Sequence, residues 1–242
     1  MWGIVPAAGL GSRIQPLAFS KELLPVGSRL DQGHERPRAV SEYLIDRMID
    51  AGVTRLCVVI SPGKSDLVAY YGAGVRGIPV CYVVQPEPAG LCDAVFRALP
   101  LIGPEDRVII GLPDTVWFPE DALARLGDQG LSFLLFPVAH PERFDAVLTD
   151  EAGRVLEIQV KREGAATPWV WGAIKLRGAE LAALHRLYLD RDRQDAYLGT
   201  LVNAHLARGG AAWAVRAGAA YVDVGTLDGY REAMKLLEKK AG

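Results

Sequence analysis

Three cysteines, Cys57, Cys81 and Cys92, are all that 242 residues contain, and no CxxC pair occurs among them. That excludes a disulfide framework and a thiolate zinc site. Cys57 and Cys81 lie in apolar runs and are expected as buried thiols. The four histidines, His34, His140, His185 and His205, lack HxxxH or any related ligand spacing and read as surface or turn residues. No run of about 18–20 uninterrupted apolar residues occurs, so no membrane span is expected. Met1–Pro6 lacks the basic flank and long apolar core of a secretory leader. Neither sign of charge dominates, since 27 Lys+Arg against 29 Asp+Glu leave −2 at pH 7. That balance argues against a broadly basic nucleic-acid surface. The remainder, half apolar and 23% charged, is the composition of a globular chain with ample core material, expected in the reducing cytoplasm.

The first two-thirds alternate short β-branched runs with helical patterns. Gly3–Ala8, Arg55–Ser61, Val80–Val84 and Arg107–Leu112 read as strands; Val40–Ala51, Lys64–Tyr71 and Leu91–Leu99 read as helices. Near-continuous apolar strands in such an alternation imply an α/β fold with a Rossmann-like, mainly parallel mixed sheet flanked by helices. From Leu131 the rhythm becomes β-rich, with strands expected at Ser132–Val138, Asp145–Thr149, Val155–Val160 and Trp169–Leu176. Helices follow at Ala179–Tyr188, Ala196–Ala207 and Asp228–Lys239, and two strands, near Ala212–Val215 and Ala220–Val224, fall between the last two. No linker or repeat separates these parts. One domain over 1–242 is expected, with 1–130 and 131–242 as its two parts. The polar stretch Gly27–Arg38 is expected as a loop, either a plain surface connection or a substrate lid. Trp169 and Trp171 alternate on one strand and so share a face, most simply a core face.

Chemistry-bearing residues begin where the first strand ends. Gly9, Gly11, Ser12 and Arg13 form a glycine turn whose backbone N–H groups can approach a phosphate, with a guanidinium beside it. It is not a dinucleotide fingerprint, because Ile14 stands where the third glycine belongs and Pro16 interrupts the following helix. Gly63-Lys64-Ser65 is not a P-loop either, since Val58 occupies the position of its first glycine.

Ala7-Ala8-Gly9-Leu10-Gly11-Ser12-Arg13, Pro16-Leu17 and Ser20-Lys21-Glu22-Leu23-Leu24-Pro25-Val26 together resemble the signature of sugar-1-phosphate nucleotidyltransferases. Gln85-Pro86-Glu87-Pro88-Ala89-Gly90-Leu91, Leu112-Pro113-Asp114, Pro141-Glu142-Arg143-Phe144 and Val222-Asp223-Val224-Gly225-Thr226 extend the likeness over most of the chain. The resemblance implies nucleotide binding by Ala8, Gly9, Gly11, Ser12, Arg13, Lys21, Gln85, Gly90 and Asp114. It implies Mg²⁺ held by Asp114 and Asp223, and catalytic roles for Arg13, Lys21, Asp114, Lys161 and Asp223. Thr115, Lys161 and Gly172 are implied at the sugar phosphate. Both aspartates close β-branched runs, so they can meet in a crevice beyond the carboxyl ends of the strands, and Mg²⁺ suits one or two carboxylates plus phosphates and water.

The reaction implied transfers a nucleotidyl group from a nucleoside triphosphate, dTTP or UTP, to a sugar-1-phosphate, glucose-1-phosphate first, with release of pyrophosphate, by a homo-oligomer or a monomer. The sugar elements depart from the family pattern: Val160 stands for a glutamate, Arg162 for a proline and Thr115 for a frequent asparagine. These changes leave open another phosphorylated alcohol as acceptor, or a nucleotide-binding protein without turnover.

Overall fold

The computed structural model describes residues 1–241; Gly242, which the single-domain expectation includes, lies outside the described residues. Fourteen strands and six α-helices occur among the described residues. The amino-terminal half contains β1 (Trp2–Pro6), β2 (Pro25–Asp31), β3 (His34–Ala39), α1 (Val40–Asp50), β4 (Arg55–Ile60), α2 (Ser65–Tyr71), β5 (Gly74–Val75), β6 (Ile78–Val84), α3 (Gly90–Arg97), β7 (Arg107–Gly111) and β8 (Thr115–Phe118). The remainder contains β9 (Ser132–Pro137), β10 (Asp145–Thr149), β11 (Val155–Val160), β12 (Trp169–Arg177), α4 (Gly178–Asp190), α5 (Leu198–Ala207), β13 (Trp213–Arg216), β14 (Ala220–Asp223) and α6 (Leu227–Ala241).

A ten-stranded mixed sheet runs β11-β10-β12-β7-β1-β4-β6-β5, with β9 and β13 branching from β12. The parallel character expected from the alternating first half belongs to β7-β1-β4-β6 and to the β9–β13 pair. The β-rich second half enters the same sheet through antiparallel ladders of β12 with β7, β9 and β10. Apolar side chains cover both faces. One layer packs α3, α4 and α5 onto the sheet through residues such as Val95, Leu184 and Leu201. The other packs α1 and α2 through Leu44, Met48 and Leu67. Burying both faces is what makes β1, β4 and β7 nearly uninterrupted apolar runs.

Cys57 and Cys81 stand opposite each other in the β4–β6 register, and burial pushes the Cys57 thiol well up. Trp171 is buried in the α3–α5 layer and Trp169 packs at its margin, so both serve the core.

The stretch Gly27–Arg38 is a β-hairpin rather than a loop. β2 and β3 pair antiparallel and reverse at Gln32-Gly33, both with positive φ (49° and 82°), the backbone a tight hairpin turn requires. Its outer side chains face solvent on both strands, so no apolar alternation marks them; the ladder and the Ser28 Oγ–Glu35 bond (2.5 Å) define it. The four fully buried residues of β8 form a further strand that the sequence pattern does not announce. They pair antiparallel with β14, Asp223 opposite Thr115, as a two-stranded sheet outside the main one.

Gly172 sits at a register shift between Trp171 and Ala173 on β12. A Cβ there would lie 2.6 Å from Phe136 Cε2 and 2.9 Å from Tyr221 Cε2. Neither ring can yield without disturbing the Phe136–Tyr221 contact (centroids 5.4 Å apart). Gly172→Ala is therefore expected to destabilise the fold by about 1–3 kcal/mol, the usual cost of overpacking, read as a lower urea midpoint at unchanged slope.

Candidate active site

The β8–β14 ladder brings together two carboxylates that are 223 − 114 = 109 residues apart. Asp114 immediately precedes β8 and Asp223 ends β14, and the Val224 N–H donates to the Asp114 carbonyl at 2.8 Å. Each carboxylate holds one cation from the glycine-turn segment. Arg13 Nη2 donates to Asp223 Oδ2 at 3.0 Å, and Lys21 Nζ donates to Asp114 Oδ2. Lys21 and Asp114 are each 14% exposed, whereas Arg13 is 62% exposed and reaches in from solvent.

Burial opposes the charged form of both inner partners, and electrostatics overrides it. Desolvation pushes Asp114 up, but the ammonium of Lys21 outweighs it and holds the carboxyl below its ordinary range. Lys21, pushed down by the same burial, is carried above its usual value by Asp114, Glu22 and Asp223.

Two glycines keep this cluster close. Gly11 has φ +66°, and a Cβ would lie 2.8 Å from Lys21 Cδ, so the turn rests directly on the lysine stem. The turn is closed by the Ile14 and Gln15 N–H groups on the Gly11 carbonyl (3.0 and 3.2 Å). At Gly225 a Cβ would lie 2.8 Å from Asp223 Oδ1, 3.1 Å from Arg13 Nη2 and 3.3 Å from Asp114 Oδ2. A bare backbone at 225 is what leaves room among these charges. Gly9 has open space around it, and Ser12 is exposed on the same turn.

Three further groups, none of them singled out by the sequence, complete the surroundings. Tyr221 lies within the field of Asp223 and Asp114, and burial with those two charges raises its hydroxyl well above the usual phenol range. Glu22 and Lys64 form a buried ion pair behind the turn. Lys64 Nζ donates to both Glu22 carboxylate oxygens (2.8 Å each) and to the Ala7 carbonyl (2.5 Å). Lys64 belongs to the very Gly-Lys-Ser triplet that fails as a P-loop; its spacing carries no signal of this role.

The remaining expected residues divide between two further segments and the core. Gln85 Nε2 donates to the Gly90 carbonyl (3.1 Å) and to Asp93 Oδ2 (2.9 Å), so Gln85 and Gly90 are adjacent. Gly90 (φ +89°) abuts Ala196, where a Cβ would lie 2.7 Å from the carbonyl oxygen. Lys161 follows β11 with φ +44°; its Nζ reaches the Tyr197 hydroxyl at 3.2 Å and lies 4.4 Å from that ring's centroid. Two expected groups face the core instead. Thr115 is buried with its hydroxyl donating to the Leu112 carbonyl (2.9 Å), and Gly172 faces Phe136 and Tyr221. Cys92 is buried in the core, its thiol pushed up to about 12 mainly by desolvation, which removes it from nucleophilic chemistry. A cavity of about 460 Å³ opens beside Arg13 and Asp223, walled by Pro137–His140, Phe144 and Tyr221 and by Glu232 and Lys235 of α6.

Among the described residues no group of three or more His, Cys, Asp or Glu side chains is arranged to hold a metal. Asp114 and Asp223 form a two-carboxylate set around the space at Gly225. That donor set fits Mg²⁺, which keeps water and substrate phosphates among its ligands, and does not fit zinc.

Fold and site thus define a mixed-sheet α/β protein in which a cation-bearing glycine turn meets two ion-paired carboxylates joined by the β8–β14 ladder. The chain belongs to the nucleotidyl transferase family, which matches residues 2–240. It is 25% identical over 248 residues to a glucose-1-phosphate thymidylyltransferase of Neisseria meningitidis, covering 98% of this chain and 83% of the relative. It is 28% identical over 246 residues to the bifunctional protein GlmU of Sorangium cellulosum, covering 92% of this chain and 51% of that protein. The chain spans about half the length of that relative and of several other curated ones. The fold matches a UTP-bound UGPase from Acinetobacter baumannii with a TM-score of 0.78 at 20% identity, over 99% of this chain and 93% of the other. No described helix is long and apolar enough to cross a membrane.

Proposed function

We propose that this chain is a sugar-1-phosphate nucleotidyltransferase, using dTTP or UTP and, first among acceptors, glucose-1-phosphate. The observation that carries the reading is the convergence of Arg13, Lys21, Asp114 and Asp223 at the glycine turn. A phosphate oxygen of the acceptor attacks the α-phosphorus of the triphosphate, and pyrophosphate leaves in line. The attacking oxygen is already anionic at neutral pH, so the site needs no general base. Its task is to hold two polyanions together in alignment.

Arg13 and Lys21, with backbone N–H groups of residues 8–12, take the triphosphate, and the same cations meet charge developing on the pyrophosphate. Both cations are paired with aspartates. On this reading, triphosphate draws Arg13 and Lys21 onto its own oxygens and frees Asp114 and Asp223 for Mg²⁺. Bound there, Mg²⁺ supplies neutralisation of phosphate charge. Gln85 and the Gly90 backbone read the base, and Lys161 takes the phosphate of the acceptor. The chain acts as one domain, with 1–130 serving the nucleotide and 131–242 the acceptor.

A matrix of nucleoside triphosphates against sugar-1-phosphates, read as pyrophosphate released in Mg²⁺, tests this. The expected result is turnover concentrated on one pyrimidine triphosphate and one or a few hexose-1-phosphates, abolished by EDTA and restored by Mg²⁺. Saturable triphosphate binding with no pyrophosphate from any pair would overturn it.

A further inference from the structure

Resting on that reading, we propose that Asp145 is the side chain that selects the acceptor, its carboxylate receiving a hydrogen bond from one hydroxyl of the sugar whose phosphate Lys161 holds. Asp145 opens β10 and stands directly across the antiparallel ladder from Val160, the last residue of β11. Lys161 comes next, and its N–H donates to the Phe144 carbonyl at 2.9 Å. One hairpin end therefore presents a carboxylate and an ammonium side by side, while Val160 between them presents only methyl groups.

The two charges do not consume each other. Lys161 Nζ is taken up by the Tyr197 hydroxyl, and Asp145 Oδ2 receives one long hydrogen bond, 3.4 Å, from the indole N–H of Trp171. An ionised carboxylate has acceptor sites for about four donors, so a half-buried one with a single distant donor has capacity left for a ligand. Burial raises the Asp145 pKa, and Trp171 and Lys161 only partly offset it, as expected for a carboxylate short of donors.

Its neighbours have the character of a sugar site. The Trp171 indole lies on one side, the Tyr197 ring on the side of Lys161, and Phe144 meets Tyr221 edge-on with centroids 5.8 Å apart. Tyr221 links this region to the paired aspartates, since Asp223, Asp114 and Asp145 all act on its hydroxyl. The first turn of α5 packs closely on this hairpin end: a Cβ at Gly199 would lie 3.2 Å from Asp145 Oδ2 and 2.7 Å from Val160 Cγ2. On this proposal the acceptor reaches from the ammonium to the carboxylate, phosphate at one end and a ring hydroxyl at the other.

The test is steady-state kinetics of the full chain with its best triphosphate, comparing glucose-1-phosphate with its 2-, 3-, 4- and 6-deoxy analogues. Wild type is expected to discriminate strongly against one analogue, because its absent hydroxyl leaves Asp145 unpaired. Asp145→Asn should lower kcat/KM for the parent about 10- to 100-fold, mostly through the acceptor KM, with the triphosphate KM unchanged. It should also erase the discrimination against that one analogue alone. A uniform loss across all five acceptors, or discrimination that survives the substitution, would overturn the assignment while leaving the proposed reaction intact. A wild type that turns over none of the sugar phosphates overturns both. Should the Asn variant not fold, as read by its thermal transition, Asp145→Ser is judged by the same criterion.

Discussion

Asp114→Asn is expected to lower kcat on the order of 10³-fold, with Asp223→Asn close behind, and Asp114→Asn also to cost stability, since it leaves the mostly buried Lys21 ammonium without its partner. The size follows from what the carboxylate does twice over. Asp114 is the charge partner of Lys21, and it holds that lysine's ammonium in a site only 14% exposed. Under the proposed function it is also one of two anionic groups around the space at Gly225 that would hold Mg²⁺. An amide keeps the shape and neither function. Loss of one pre-organised charge contact commonly costs about 10²–10³-fold in kcat, and under the proposed function this one substitution would remove a metal ligand and misplace the cation proposed to take the triphosphate. The two variants act as one unit, so the double variant should be barely slower than Asp114→Asn alone. The check is kcat across a Mg²⁺ titration: both single variants should need more metal for half-maximal rate. Wild-type metal dependence with reduced kcat would assign the carboxylates to placing Lys21 and Arg13 and remove them from the metal.

Much of this arrangement is legible in the amino-acid order alone, and the parts that are not share a cause. The parallel strands announce themselves because both faces are buried, leaving runs such as Leu56–Ile60 without a polar interruption. Asp114, Asp223 and the turn at Gly9–Arg13 stand out through the family motifs they belong to; a glycine turn after a strand, or an aspartate closing one, is common and carries little signal alone. β8 escapes notice: four buried residues between an aspartate and a proline are too short to carry a period, yet their pairing with β14 is what joins the two carboxylates. The hairpin β2–β3 escapes for the opposite reason, having no buried face to impose alternation. Asp145 and Tyr221 give no signal, since an acidic residue after a turn and an aromatic in a strand are ordinary; only the register against Val160 and the ring contact with Phe136 give them neighbours worth reading.

The second large effect comes from a lysine whose motif is a decoy. Lys64→Met should destabilise the fold by about 3–5 kcal/mol, because it strands a carboxylate that is 1% exposed. Both members of the pair are pushed toward neutrality: burial raises Glu22 more than Lys64 lowers it, and lowers Lys64 more than Glu22 raises it. The pair is therefore a poor source of net stability, and breaking one half is costly chiefly for the charge left behind. Two consequences separate this account from simple loss of packing. First, in Lys64→Met the folded-state pKa of Glu22, already above its ordinary value, must rise further. A carboxyl raised in the folded state favours folding below its unfolded pKa and loses that contribution as pH rises through the folded value. The deficit against wild type should accordingly be small near pH 4 and grow toward neutrality; a deficit independent of pH would remove the electrostatic explanation. Second, Lys64→Met with Glu22→Gln should regain most of the stability, since no buried charge is left without a partner. It should not regain the rate. Lys64 also ties the Ala7 carbonyl, and Glu22 is the chain neighbour of Lys21, so the restored fold would carry a glycine turn and a phosphate-binding lysine no longer held in mutual register. Urea midpoints across pH, set beside kcat of the double variant, measure the two effects separately: stability recovered with activity still depressed identifies Glu22 and Lys64 as positioning residues, and activity recovered in parallel identifies them as structural alone.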